Sequence, residues 1–122
     1  MDTTQHTYDL EDRLDLLLDL LVEFNRPLTH KQVWKLLNTD RLELRSVINI
    51  LCHKDLKKYR VARICYIISI QTGFPSSGYY KTLLEHKIKE PPTNAAECRA
   101  IWLYQRYQCQ KILRDKITRF EI

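Results

Sequence analysis

Cysteine, histidine and acidic side chains are the usual carriers of chemistry, and their spacing in this chain argues against a reaction centre. The cysteines stand at Cys52, Cys65, Cys98 and Cys109. No two form a Cys-x-x-Cys pair, so a zinc ribbon is not expected. Cys98 and Cys109 lie three helical turns apart, too far to share an ion, and read as small buried hydrophobes. His53 directly follows Cys52, whereas metal-ligand pairs need a turn between them. His6, His30, His53 and His86 are scattered along the chain. No nucleophile elbow, Ser/His/Asp set or phosphate-cradling loop is present. Paired carboxylates occur only near the start of the chain, where a solvated helix face is the simpler reading. The expectation is a protein that is not an enzyme and that uses no metal and no cofactor.

The remaining chemistry is electrostatic. The formal charge of +5 over 122 residues hides a split. Residues 1–24 carry seven acids (Asp2, Asp9, Glu11, Asp12, Asp15, Asp19, Glu23) against Arg13 alone, a net −6. Residues 25–122 carry nineteen bases and eight acids, a net +11. Such asymmetry suggests a nucleic-acid face and a separate acidic face. The apolar share of 44% and the charged share of 29% exclude disorder. No apolar run reaches the roughly 18 residues that a membrane span needs, and a basic-then-apolar signal pattern is missing, so a cytoplasmic protein without membrane contact is expected.

Hydrophobic spacing supplies the elements that position these charges. Residues 1–8 read as a flexible tail. Asp9 to Phe24 reads as an amphipathic helix, with Leu10, Leu14, Leu17, Leu21 and Phe24 on one line and Asp12, Asp15, Asp19 and Glu23 opposite. Leu16, Leu18, Leu20 and Val22 widen its apolar arc beyond what one neighbour covers. Pro27 stops it. Thr29 with Gln32 forms a capping-box pattern before a short helix, His30 to Leu37, that points Val33, Trp34 and Leu37 inward. Asn38-Thr39-Asp40 is a turn and cap. Arg41 to His53 is a third helix with Leu44, Val47, Ile48 and Leu51 on its buried side. Lys54 to Arg60 reads as a basic connector and the β-branched stretch Arg63 to Ile70 as a strand. The turn cluster 71–78 and a short strand Tyr79-Tyr80-Lys81 complete a predicted hairpin, with Phe74 at its tip. After Pro91-Pro92, Thr93 or Asn94 caps a long helix running almost to Ile122.

Arg26-Pro27-Leu28-Thr29, the helix His30–Leu37, the Asn38-Thr39-Asp40 turn, Leu42–Leu51, and Ile64–Ile70 closing on Gly78-Tyr79-Tyr80 together resemble the winged helix-turn-helix family. The likeness is to small bacterial and phage members, and it covers residues 9–82. It implies a mainly α fold with a small β-wing: residues 9–89 as the winged domain and 90–122 as an added helix for packing or dimerisation. It also implies a recognition helix over 41–53 that reads double-stranded DNA, as in a transcriptional regulator or a phage DNA-binding factor.

Residue chemistry agrees. Arg41 and Arg45 can grip guanine or phosphate, Asn49 can pair with adenine, and Ser46 allows close approach. Lys31 and Lys35 can hold phosphates, and Lys54, Lys57, Lys58, Arg60 and Arg63 surround the helix end, with Lys81 on the wing. The apolar stripe of the last helix, with Trp102, Cys109, Ile112, Leu113 and Phe120, is expected either to form a homodimer or to cap the core of its own chain. Tyr104 and Tyr107, off that stripe, are candidates for exposed contacts. The alternative function is a phage or mobile-element protein that inhibits a host protein or nucleoprotein complex, for example as an anti-CRISPR, using the acids of the first helix as phosphate mimics.

Overall fold

Leucines at helical spacing build the first element and select its buried side. A computed structural model describes residues 3–120, with side chains over 9–115. Helix α1 spans Thr3–Glu23, so the backbone is helical six residues earlier than the expected start at Asp9. The remainder of the expected tail, residues 1–2, lies outside the described residues. Leu10, Leu14, Leu18, Leu21 and Val22 are all buried. Leu17 is only half-buried and Phe24 is exposed, so the core-facing stripe is rotated from the expected line. Many leucines on one helix made several stripes equally apolar, and packing chose among them.

Asn25 takes a left-handed φ of 49°, and the Arg26 amide donates to the Leu21 carbonyl at 2.9 Å, which closes α1 before Pro27. Strand β1 is Leu28–Thr29, and helix α2 is His30–Leu36. The expected capping box is present: the Gln32 amide donates to Thr29 Oγ1 at 3.3 Å, and the Thr29 amide donates to Gln32 Oε1 at 2.9 Å. Asn38, with φ 52°, turns the chain, and Asp40 caps helix α3 by accepting from the Glu43 amide at 2.9 Å. Arg13 of α1 donates to the Leu37 carbonyl at the end of α2, pinning the first two helices together.

Helix α3 spans Arg41–Tyr59, six residues beyond the expected end at His53. The basic connector is therefore its last two turns. Leu56 and Asp55 are buried there and extend the inward face set by Leu44, Val47 and Leu51. Arg60, with φ 61°, ends it.

The predicted hairpin does not form. Arg63–Tyr66 is a 3₁₀ turn, and only Ile67–Ile68 is strand, β2. It pairs in parallel with β1, Leu28 opposite Ile67. Residues 69–74 close a tight loop, with the Ser69 amide donating to the Phe74 carbonyl and the Gly73 amide to the Ser69 carbonyl. Phe74 is buried in the core instead of projecting from a tip. The segment expected to return as a strand is helix α4, Ser77–Glu85. Its Tyr79, Tyr80 and Leu83 share a buried helical face. The fold is mainly helical with one two-stranded parallel sheet.

Helix α5, Ala95–Phe120, is capped by Asn94, whose Oδ1 accepts from the Glu97 amide at 2.9 Å. It lies across the core. Trp102 Nε1 donates to the Cys65 carbonyl at 2.7 Å, Tyr79 Oη donates to Gln105 Oε1 at 2.7 Å, and Tyr80 Oη donates to the Cys98 carbonyl at 2.9 Å. Arg106 stacks over Trp102 and reaches Asn25 Oδ1 at 2.7 Å.

Candidate nucleic-acid interface

Helices α2 and α3 carry most of the residues expected to touch DNA. Leu44, Val47 and Leu51 anchor α3 inward, so its other side is solvent. Arg41, Arg45, Ser46 and Asn49 are all exposed on it, and Lys31 and Lys35 are exposed on α2. Leu42, 76% exposed, and Ile50, 40% exposed, stand among the polar groups. Apolar side chains at such positions suit contact with thymine methyl groups. Glu43 lies on the same helix, its carboxylate accepting from Thr39 Oγ1 at 2.8 Å. His30, at the start of α2, is held below its ordinary value by burial first and then by the Arg41 charge.

The outlying bases divide. Lys57 and Lys58 are exposed at the end of α3, where they also oppose the negative end of the helix dipole. Lys54 pairs with Glu11 at 3.5 Å, and Arg60 donates to the Lys87 carbonyl at 3.2 Å. Lys81 is exposed on α4, on a helix and not on a wing.

Arg63, expected on phosphate, is bonded within its own chain. Its guanidinium has five N–H donors, and five hydrogen bonds use them. Nε and Nη2 fork onto Asp55 at 2.9 and 3.0 Å. Nη2 also meets Asp15 Oδ1 at 2.6 Å, and Nη1 meets the Asp15 carbonyl at 3.1 Å and Asp19 Oδ1 at 2.9 Å. Its own amide donates to Asp55 Oδ2 at 3.0 Å. This hub ties the 3₁₀ turn to α1 and α3. The Asp55 and Asp15 carboxylates hold the guanidinium charged against its burial. Nothing in the local sequence marks it, because the three acids come from two distant helices.

The described part of the last helix lies against the core of its own chain. Trp102, Cys109, Ile112 and Leu113 pack on the core of their own chain, and Cys109 Sγ lies 3.9 Å from Cys65 Sγ. Their stripe is already covered. The Phe120 side chain lies outside the described residues. Tyr104 and Tyr107 are exposed, as expected. His53 Nδ1 and His86 Nε2, far apart in sequence, share a 2.8 Å hydrogen bond that joins α3 to the end of α4. Among the described residues no three His, Cys, Asp or Glu side chains gather to hold a metal. A half-open pocket beside Arg63 measures about 20 Å³, room for about one water. No helix among the described residues is long and apolar enough to cross a membrane.

No protein-family model, curated protein or solved structure matches this chain.

Proposed function

We propose that the protein binds double-stranded DNA, reading the major groove with the first half of α3 while α2 and the end of α3 position it on phosphates. The observation that carries this reading is the joint exposure of Arg41, Arg45, Ser46 and Asn49 on a helix whose opposite side is locked into the core. A short helix and a long one joined by a capped turn support the helix-turn-helix half of the family likeness. In this reading α3 alone specifies sequence, without a wing, and Lys81 takes no part. The rival reading, an inhibitor using α1 as a phosphate mimic, draws on Asp12, Asp15 and Asp19. Asp15 and Asp19 are already committed to Arg63 at 2.6 and 2.9 Å, which leaves that face less charge to offer.

The test is selection of a preferred duplex from random sequence, followed by substitution. Arg45→Ala should cost about 1–3 kcal/mol on the selected site and flatten preference at one position, while Lys35→Ala should weaken all duplexes alike. Failure to enrich any sequence, with no binding to random duplex, rejects the reading.

A further inference from the structure

Helix α1 keeps a second apolar stripe that stands exposed among the described residues. Leu16 is 64% exposed, Leu20 42% and Phe24 71%, and their spacing of four places them along one solvent face. A shallow open cleft of about 550 Å³ runs beside them, lined by Leu20, Leu21, Phe24 and Arg26. Asp12 and Glu23 are exposed along the same face. Contiguous exposed leucine and phenylalanine on a folded helix mark an interface more often than a plain surface. The acids beside them repel DNA and favour a basic, amphipathic partner.

The same chain displays such a partner surface. On α5, Leu103, Tyr104 and Tyr107 are exposed, continuing a helical line from Ala96 and Ala100 toward Lys111, with Arg99 at its flank. Tyrosine is enriched at the centres of protein interfaces, and the bases match the acids of α1. The two faces do not meet within one molecule. α1 touches α5 through its other side, where Asp19 and Val22 face Cys109, Ile112 and Leu113, and Asn25 binds Arg106. The exposed Asp12 and Glu23 of α1 and the exposed Arg99 and Lys111 of α5 thus offer opposite charge on every copy.

We propose that the protein pairs with a second copy of itself by seating the Leu16–Leu20–Phe24 stripe of α1 on the Leu103–Tyr107 face of the other copy's α5. Made reciprocally, the contact occurs twice about a two-fold axis and closes on itself. It uses none of the stripe that holds α5 to its own core, and it leaves α3 outside the interface. The pairing stands independently of whether α3 reads DNA.

The experiment is the solution mass of the full chain by light scattering and sedimentation across a concentration series. Wild type should reach the mass of two chains. Leu20→Asp and Tyr107→Asp each spoil one partner of both contacts, and each should raise the dimer dissociation constant at least about tenfold. Both positions are exposed, so circular dichroism and melting should stay as in wild type. Mixing the two variants restores one contact, between the intact α1 of one and the intact α5 of the other, and should recover part of the dimer. A wild-type mass of one chain at the highest concentration overturns the proposal. So does a dimer that ignores both substitutions, or a mixture no better than either variant alone.

Discussion

Replacing Arg63 with methionine keeps much of the side chain's length and apolar contact but strands the acids it holds. The Asp55 side chain is only 6% exposed, against 51% for Asp15 and 45% for Asp19. The half-solvated arms are worth about 0–1 kcal/mol each. The Asp55 arm decides the outcome, because removing one partner of a buried ion pair costs about 3–5 kcal/mol. A domain of this size is stable by about 5–15 kcal/mol, so Arg63→Met should remain folded but far weaker. With a urea slope of about 1–3 kcal/mol per molar, the unfolding midpoint should fall by about 2 M. Asp55→Asn keeps an acceptor for the Arg63 amide while removing the stranded charge. In that background Arg63→Met should cost about 2 kcal/mol less than it does alone. The assay is urea denaturation followed by circular dichroism for the four combinations. A midpoint shift below about 0.5 M, or equal costs in both backgrounds, would refute the claim that Arg63 is a structural hub.

Other outcomes follow from the same contacts. His30 is held below its ordinary value of 6.5, so the unfolded chain binds its proton more readily than the folded one. Its contribution is complete above about pH 6.5 and is lost as the pH falls through the lower folded value, and His30→Gln should remove that part of the stability-pH curve. Burial first, and then the nearby Asp55 and Glu85 carboxylates, pushes the Cys52 thiol up to about 12, and Cys65 is likewise pushed up by burial and by Cys109. Iodoacetamide under native conditions should therefore label the half-buried Cys98 first, as read by peptide mass spectrometry, with Cys52 and Cys65 reacting only on unfolding.

Local signals with a fixed spacing were legible in the sequence. The Thr29–Gln32 capping box, the Asp40 cap, the break at Pro91-Pro92 and the inward faces of α2 and α3 depend on near neighbours, and each is found where expected. The segment 63–85 was misread because its β-branched isoleucines favour strand, whereas tertiary contacts decided otherwise. β1 pairs with Ile67–Ile68, and Tyr79 and Tyr80, on helix α4, hydrogen-bond to α5. Arg63 was read as a surface cation because a lysine- and arginine-rich stretch looks solvated. Its acids lie 8, 44 and 48 residues away, beyond any local pattern. The exposure of Lys31, Lys35, Arg41, Arg45, Ser46 and Asn49 was legible, since an amphipathic helix fixes its own outer side, whereas that of Leu42 and Ile50 was not.

The central claim is electrostatic docking of the α2–α3 face on duplex DNA. Fluorescence anisotropy of a labelled duplex, titrated with protein at increasing salt, tests it most directly. Lys31, Lys35, Lys57 and Lys58 as the phosphate contacts predict a log–log slope of about −3.6, or roughly a 150-fold loss of affinity between about 50 and 200 mM salt. Lys35→Ala should make that slope shallower by about one. Absence of binding at the lowest salt, or affinity indifferent to salt, would contradict it.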